Sequence, residues 1–451
     1  MHKLLRASLA LALTSPLAAR ADTTADIQAL RDAMQALRTD YQVRMEALEQ
    51  RLKALESGAA APTAAAAAAP EPAPALPPPS APSGPPVEPA PGAAAAAANA
   101  FNPAVSLILS GLYTNTSQDP AHYAITGFPL PPSVQAGPGD RGFSLAESEL
   151  GLAASIDPWF RGAANIAFHP DDTVSVEEAF VQTTALGNGF GLKAGRFFSG
   201  IGYLNPQHSH TWDFVDSPLA YQAFLGGQYG DDGLQATWLA PTDQFIEIGA
   251  EVGRGRNFPG SDTARNGAGM GALTAHTGGD IGDSHSWRAG LSLLDVRATE
   301  LPLSDGETTR LFTGTSRVWV ADAVWKWAPH GNATRTSFKL QGEWLQSTRD
   351  GTLGSDSGSS ALHLVQSGGY LQGVYQFLPR WRVGLRTERL NAGDDVDYHP
   401  SKQSLMFDFS PSEFSRVRLQ LARDLAHEGA PDNQLFLQYQ MSLGAHGAHS
   451  F

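Results

Sequence analysis

From Ala104 to Leu443 the chain is cut into short alternating segments by turns with aromatic residues on their flanks, and this constrains the fold more than any other feature. Asp157-Pro158 is followed by Trp159 and Phe160, and Pro241 lies between Trp238 and Phe245. Pro329 follows Trp325 and Trp327; Pro379 sits among Tyr375, Phe377 and Trp381; Pro411 sits among Phe407, Phe409 and Phe414. Proline ends strands because it cannot donate to a ladder. Aromatic residues beside turn after turn are what a membrane–water girdle requires, and a soluble sandwich has no such need.

The segments between the turns read as strands with a period of two. Leu435, Leu437, Tyr439, Met441 and Leu443 share one face, and Gln434, Gln438, Gln440 and Ser442 the other. Trp381, Val383 and Leu385 alternate with Arg382 and Arg386, and Val417, Leu419 and Leu421 alternate with Arg416, Arg418 and Gln420. One apolar and one wet face is the pattern of a strand between lipid and water. Strands are predicted near 104–113, 142–156, 159–169, 173–185, 189–197, 228–239, 243–253 and 267–277. The remaining eight lie near 285–297, 316–328, 333–347, 361–377, 380–391, 403–409, 413–423 and 433–443. Short turns at Asp157-Pro158, Gly187-Asn188, Pro241-Thr242, Gly282-Asp283, Pro329-His330, Leu378-Pro379 and Ser410-Pro411 alternate with loops, notably 114–141 and 198–227. The Gly-rich strand at 267–277 is needed to keep that alternation. The expected fold is all-β: a transmembrane antiparallel barrel of about sixteen strands, wide enough for a watery lumen. The chain ends on an aromatic, Phe451, after a Gly/His-rich stretch that separates it from the last strand face.

The first hundred residues are of another kind. Lys3 and Arg6, the apolar run to Leu17 and Ala19-Arg20-Ala21 make 1–21 a secretory signal peptide. Apolar residues at Ile27, Leu30, Met34, Leu37, Tyr41, Met45, Leu48, Leu52 and Leu55 form a heptad seam with one stutter, so 22–57 is predicted to be a coiled coil. Residues 58–100 are nearly all Ala and Pro, a composition for an extended spacer rather than a core. The barrel domain is then 101–451. These features predict export to the Gram-negative outer membrane, with coiled coil and linker in the periplasm.

Composition excludes several functions. The chain has no Cys among its 451 residues, which removes disulfides and thiolate chemistry. A formal net charge of −14 argues against a nucleic-acid partner. No Gly-x-Ser-x-Gly elbow or His-Glu-x-x-His motif is present, so no enzyme is expected.

Leu192-Lys193-Ala194-Gly195-Arg196-Phe197-Phe198-Ser199-Gly200-Ile201-Gly202 resembles the strand-to-loop passage of the phosphate-selective porin O/P family. His208-Ser209-His210-Thr211-Trp212-Asp213-Phe214 and Gly230-Asp231-Asp232-Gly233 are similar to a subgroup often labelled zinc-regulated TonB-dependent outer-membrane receptors. A coiled coil ahead of a porin also resembles the dicarboxylate-specific porins. The resemblance covers roughly 104–443 and implies a sixteen-stranded, trimeric porin.

On this reading, loop 198–227 folds into the lumen, with Gly200, Gly202 and Pro206 permitting the bends. Asp213 and Asp216 would place negative charge there, against a basic ladder of Arg382, Arg386, Arg416 and Arg418 with Arg288 across the wall. Such opposed charges focus a field on passing solutes. The alternative is that the arginines pair structurally with Glu147, Glu149 and Glu177. His208 and His210, two apart, can face one side of an extended segment and hold zinc if Asp213 or Asp216 completes the set. Solvated loop histidines are the alternative, and no resident cofactor is otherwise expected. The predicted function is passive diffusion of small polar or charged solutes by a homo-oligomer in outer-membrane lipid. The alternatives are a receptor or metal-linked uptake protein, or an envelope tether making cell-wall contact through the coiled coil.

Overall fold

The structure is a computed structural model that describes residues 103–262, 266–305, 308–355 and 358–444. The signal peptide, coiled coil, Ala/Pro spacer and Phe451 lie outside the described residues.

Period-two alternation lets each strand bury one face toward the interior, and the hairpin turns set neighbour beside neighbour. The strands are β1 (Ala104–Thr116), β2 (Gly142–Leu145), β3 (Ser148–Ser155), β4 (Phe160–Phe168), β5 (Val174–Thr183) and β6 (Phe190–Phe198). They continue as β7 (Gly230–Leu239), β8 (Phe245–Gly253), β9 (Met270–Ile281), β10 (His285–Ser304), β11 (Thr309–Trp327) and β12 (Ser337–Ser355). The last five are β13 (Gly358–Leu378), β14 (Trp381–Asn391), β15 (Ser401–Ser412), β16 (Ser415–Leu425) and β17 (Asp432–Gly444). β2 and β3 both pair with β1, in registers Gly111↔Leu145 and Ile108↔Glu149. They are two pieces of one stave broken at Ala146-Glu147, so the seventeen segments make sixteen staves. β1 also pairs antiparallel with β17, from Ser106↔Gly444 to Thr116↔Gln434, and closes the ring. Closure removes every sheet edge, which a lipid-embedded backbone requires.

The sixteen expected strands are all present, including the Gly-rich one, now β9. The differences lie at their ends. β10 to β13 run 20, 19, 19 and 21 residues, so much of the expected loops at 298–315 and 348–360 is ladder instead. About 9–11 tilted residues span a bilayer, so these four strands stand well beyond it. β15 continues through Ser410-Pro411, and the turn falls at Glu413-Phe414 with a register shift between Phe409 and Ser412. On the side opposite the chain ends, the connections at 169–173, 305–308 and 356–357 are short, so the expected short/long alternation is incomplete.

The faces follow the expected parity. Leu437, Tyr439, Leu443, Trp381, Leu385 and Leu421 are exposed on the outside, while Gln434, Gln438, Gln440, Gln420 and Arg418 are buried on the inside. The interior also carries an apolar core. The helix α1 (Leu219–Leu225), within the 199–229 loop, is buried at all seven positions. It packs with Ile125 and Phe128 of the 117–141 loop against inward-facing Leu294, Val296, Val318, Val320, Leu345 and Leu390. Apolar residues on both faces of β10 and β11, as in Val318-Trp319-Val320, are the sequence mark of a wall covered from within.

Candidate functional site

The loop expected at 198–227 crosses the barrel interior between β6 and β7. Its path is set by carboxylates on the wall and cations that receive its own acids. Gly200 N–H donates to Glu251 on β8 at 2.8 Å. Leu204 N–H and Tyr203 N–H donate to Glu343 on β12 at 2.9 and 3.2 Å. Tyr221 and Tyr370 hydroxyls donate to the same carboxylate at 2.8 and 2.7 Å. Gly202 has φ +66°, and a Cβ there would stand 2.3 Å from Glu343 Oε2, so both conformation and space demand glycine. The first turn of α1 is tied down by Leu219 N–H donating to Glu388 of β14.

Asp213 is paired with Lys339 of β12 and, at 3.2 Å, with Arg382 of β14. Asp216 meets Arg386 at 2.7 Å and Lys402 at 2.8 Å, and accepts from Gln420 at 2.7 Å. Arg418 donates to the Trp212 carbonyl at 2.6 Å, and Arg416 to the His210 carbonyl. Asp408 on β15 sits 2.8 Å from Arg382 and 3.5 Å from Arg418. Arg386 also pairs with Glu388 at 2.7 Å and covers the Phe214 ring at 4.6 Å. Burial alone would raise the Asp213 carboxyl, but Lys339 and Arg382 outweigh it and hold the group well below the ordinary range. Arg386 and Lys402 do the same for Asp216.

All the expected arginines face inward, and four of them meet the loop as a clamp. Arg386 and Arg418 retain 3% and 1% exposure, so in this conformation they hold the loop instead of facing open water. Arg288, on β10, meets the same loop elsewhere, 5.4 Å over the Tyr203 ring. Among the described residues the alternative pairing of the arginines with Glu147, Glu149 and Glu177 is not seen; the loop's own aspartates and Asp408 reach Arg382, Arg386, Arg416 and Arg418 instead. Lys339, Lys402, Glu343, Glu388 and Asp408 belong to the same network and were missed by sequence reasoning. Their inward parity was legible; what each would touch depended on the loop's path.

The histidine side chains turn away from those cations, to the wall at β3–β5. His208 Nδ1 is 3.2 Å from Glu149 and 3.3 Å from Glu177; its Nε2 is 3.0 Å from Glu178. His210 Nδ1 is 3.0 Å from Glu149. The Ser209 hydroxyl donates to Glu147, between β2 and β3. Burial lowers the His208 imidazole's affinity for a proton, but Glu149, Glu177 and Glu178 reverse this and raise it well above the usual value. Asp213 and Asp216 do not complete a histidine set; they are spent on the cationic wall, and Glu149 stands in that place.

No protein-family model matches the chain. Among solved structures, the trimer form of in-vitro folded OmpT, an outer membrane protein of Vibrio cholerae, is 11% identical with a TM-score of 0.48; it covers 76% of this chain and 99% of its own. The anion-selective porin from Comamonas acidovorans is 11% identical with a TM-score of 0.47, over 76% of this chain and 99% of its own. The outer membrane channel DcaP of Acinetobacter baumannii is 10% identical with a TM-score of 0.45, over 75% and 96%. In sequence, an Aquifex aeolicus (strain VF5) protein, described as an uncharacterized protein, is 33% identical over 337 residues, 69% of this chain and 70% of the relative. The chain therefore belongs to the same family as this Aquifex aeolicus protein.

Proposed function

We propose that the chain is a non-enzymatic outer-membrane channel for passive diffusion of small polar or charged solutes, with the 199–229 loop setting the passage. The observation that carries this reading is a closed ring of sixteen staves with an apolar outside and a charged, amide-rich inside. Backbone satisfied by closure and a polar lumen are what a barrel needs to sit in lipid and carry water. The resemblance to phosphate-selective O/P porins, and the arginines of β14 and β16, favour anionic solutes. The same resemblance favours a trimer, and the heptad seam of 22–57 favours self-association, with cell-wall contact through that region.

Planar-bilayer recording on the purified protein tests the proposal. Discrete conductance steps in KCl support it; a silent bilayer from protein that migrates as a folded barrel overturns it. A second reading, a closed barrel serving as receptor or tether, is favoured by the apolar packing of α1 on the wall. The same recording separates the two.

A further inference from the structure

We propose that Glu149, His208, His210 and Glu177 form a binding site for one divalent first-row transition metal, which clamps the 199–229 loop to β3 and β5. This goes beyond the channel reading and does not need it. Among the described residues, Glu149, His208 and His210 offer ligand atoms that all lie within 4.8 Å of one another.

The hydrogen bonding is over-subscribed. An imidazole nitrogen carries either one hydrogen or one lone pair, so it serves one partner well. Yet His208 Nδ1 has two carboxylates, Glu149 and Glu177, at 3.2 and 3.3 Å, and the Glu149 oxygen that faces it also lies 3.0 Å from His210 Nδ1. In a tetrahedral N/O site with bonds near 2.0–2.2 Å, ligand atoms stand about 3.4 Å apart. The spacings of His208 to Glu149, His208 to Glu177 and His210 to Glu149, 3.2, 3.3 and 3.0 Å, stand close to that value. Charge points the same way. Among the described residues, the ion pairs of Glu147, Glu149, Glu177 and Glu178 are all with histidine. Four buried or half-buried carboxylates against His169, His208 and His210 leave one negative charge in excess even with all three rings protonated.

Local structure explains how the donors come together. β4 and β5 shift register between Asn165 and Ile166, so Asn165 faces Glu178, Ile166 faces Val176, and Glu177 is the extra residue of a bulge. Adjacent strand residues ordinarily point to opposite faces; the bulge turns both glutamates inward onto His208. Across from it, the break at Ala146-Glu147 precedes Glu149, and Glu178 lies 3.0 Å from His208 Nε2, where it can accept that nitrogen's hydrogen and leave Nδ1 for the ion. Nitrogen and carboxylate donors in equal number suit zinc and its first-row neighbours rather than calcium or magnesium, which favour oxygen sets.

The test uses the full chain in detergent, stripped with chelator, titrated with zinc sulfate and assayed for metal per protomer, with X-ray absorption on the loaded protein. The expected result is about one zinc per protomer with only nitrogen and oxygen ligands. His208→Ala with His210→Ala should weaken binding by about tenfold or more. Glu149→Gln, a gentler change, should weaken it as well, and decides the matter if the histidine variant loses the heat-modifiable migration of a folded barrel. His446→Ala with His449→Ala should leave binding unchanged. Absence of retained zinc overturns the site. So does full binding in folded His208/His210 and Glu149 variants, or zinc lost only with His446 and His449.

Discussion

Asp216→Asn should free the loop from the β14–β16 wall. The native carboxylate stands 2.7 Å from Arg386 and 2.8 Å from Lys402, with Arg386 and Lys402 retaining 3% and 1% exposure. Breaking a buried pair costs about 3–5 kcal/mol, because a charge is left without a partner. Each cation here keeps one carboxylate, Glu388 at 2.7 Å for Arg386 and Asp424 at 3.2 Å for Lys402. The low end, about 3 kcal/mol, therefore applies. At about 1.4 kcal/mol per tenfold, docking weakens by roughly 150-fold. Single-channel recordings should show larger or more frequent open steps than the parent. Traces from Asp216→Asn that superimpose on the parent's, in dilute and concentrated KCl alike, would refute the clamp.

Deleting 204–226 should raise conductance outright, read in the same bilayers. Gly202→Ala should loosen the loop by about 1–2 kcal/mol from the left-handed backbone alone, seen as faster proteolysis within 199–229. Arg382→Ala with Arg386→Ala should shift ion preference toward cations in dilute salt, and 1 M KCl should blunt the shift because screening shortens to about 3 Å. Asp213 and Asp216 have depressed proton affinities when docked, so their contribution is fully present above the free carboxyl value of about 3.9 and is lost only as pH falls through the lower docked values. Conductance measured between pH 7 and pH 4 should therefore show no opening from these two groups. A peptide of 22–56 should self-associate in sedimentation; a monomer would remove the coiled coil as the assembly element.

Where one face met lipid, the sequence was easily read. The alternation in β14, β16 and β17 placed each residue on its observed face, because a one-residue slip would turn the whole apolar set inward. The inward loop was legible too, from its length and its glycines. Its contacts were not. Asp213 and Asp216 were placed opposite arginines correctly, but Lys339 and Lys402 come from strands whose register with the loop no local pattern encodes. The metal-ligating geometry was missed for a similar reason. Glu177 is luminal on the sequence reading too, but two adjacent strand residues do not both face inward without the bulge opposite Asn165 and Ile166, which lets Glu178 join it. The apolar lining of β10 and β11 was the neglected signal, since hydrophobic residues on both faces mean that something covers the inner one.

The seam between β1 and β17 has a consequence for the order of assembly. The other wall pairings join strands adjacent in the chain, apart from the split stave, whereas this one joins residues such as Ser106 and Gly444 across nearly the whole domain. Local hairpins close quickly, and contacts of such sequence separation come late because the loop entropy must be overcome first. The 199–229 loop belongs to the early half of the barrel, yet its partners Arg386, Lys402 and Arg418 arrive with the last four strands. The crossing segment thus has no docking site until those strands are in place, so its capture should not precede their pairing and should be slow in any variant that lacks the aspartates.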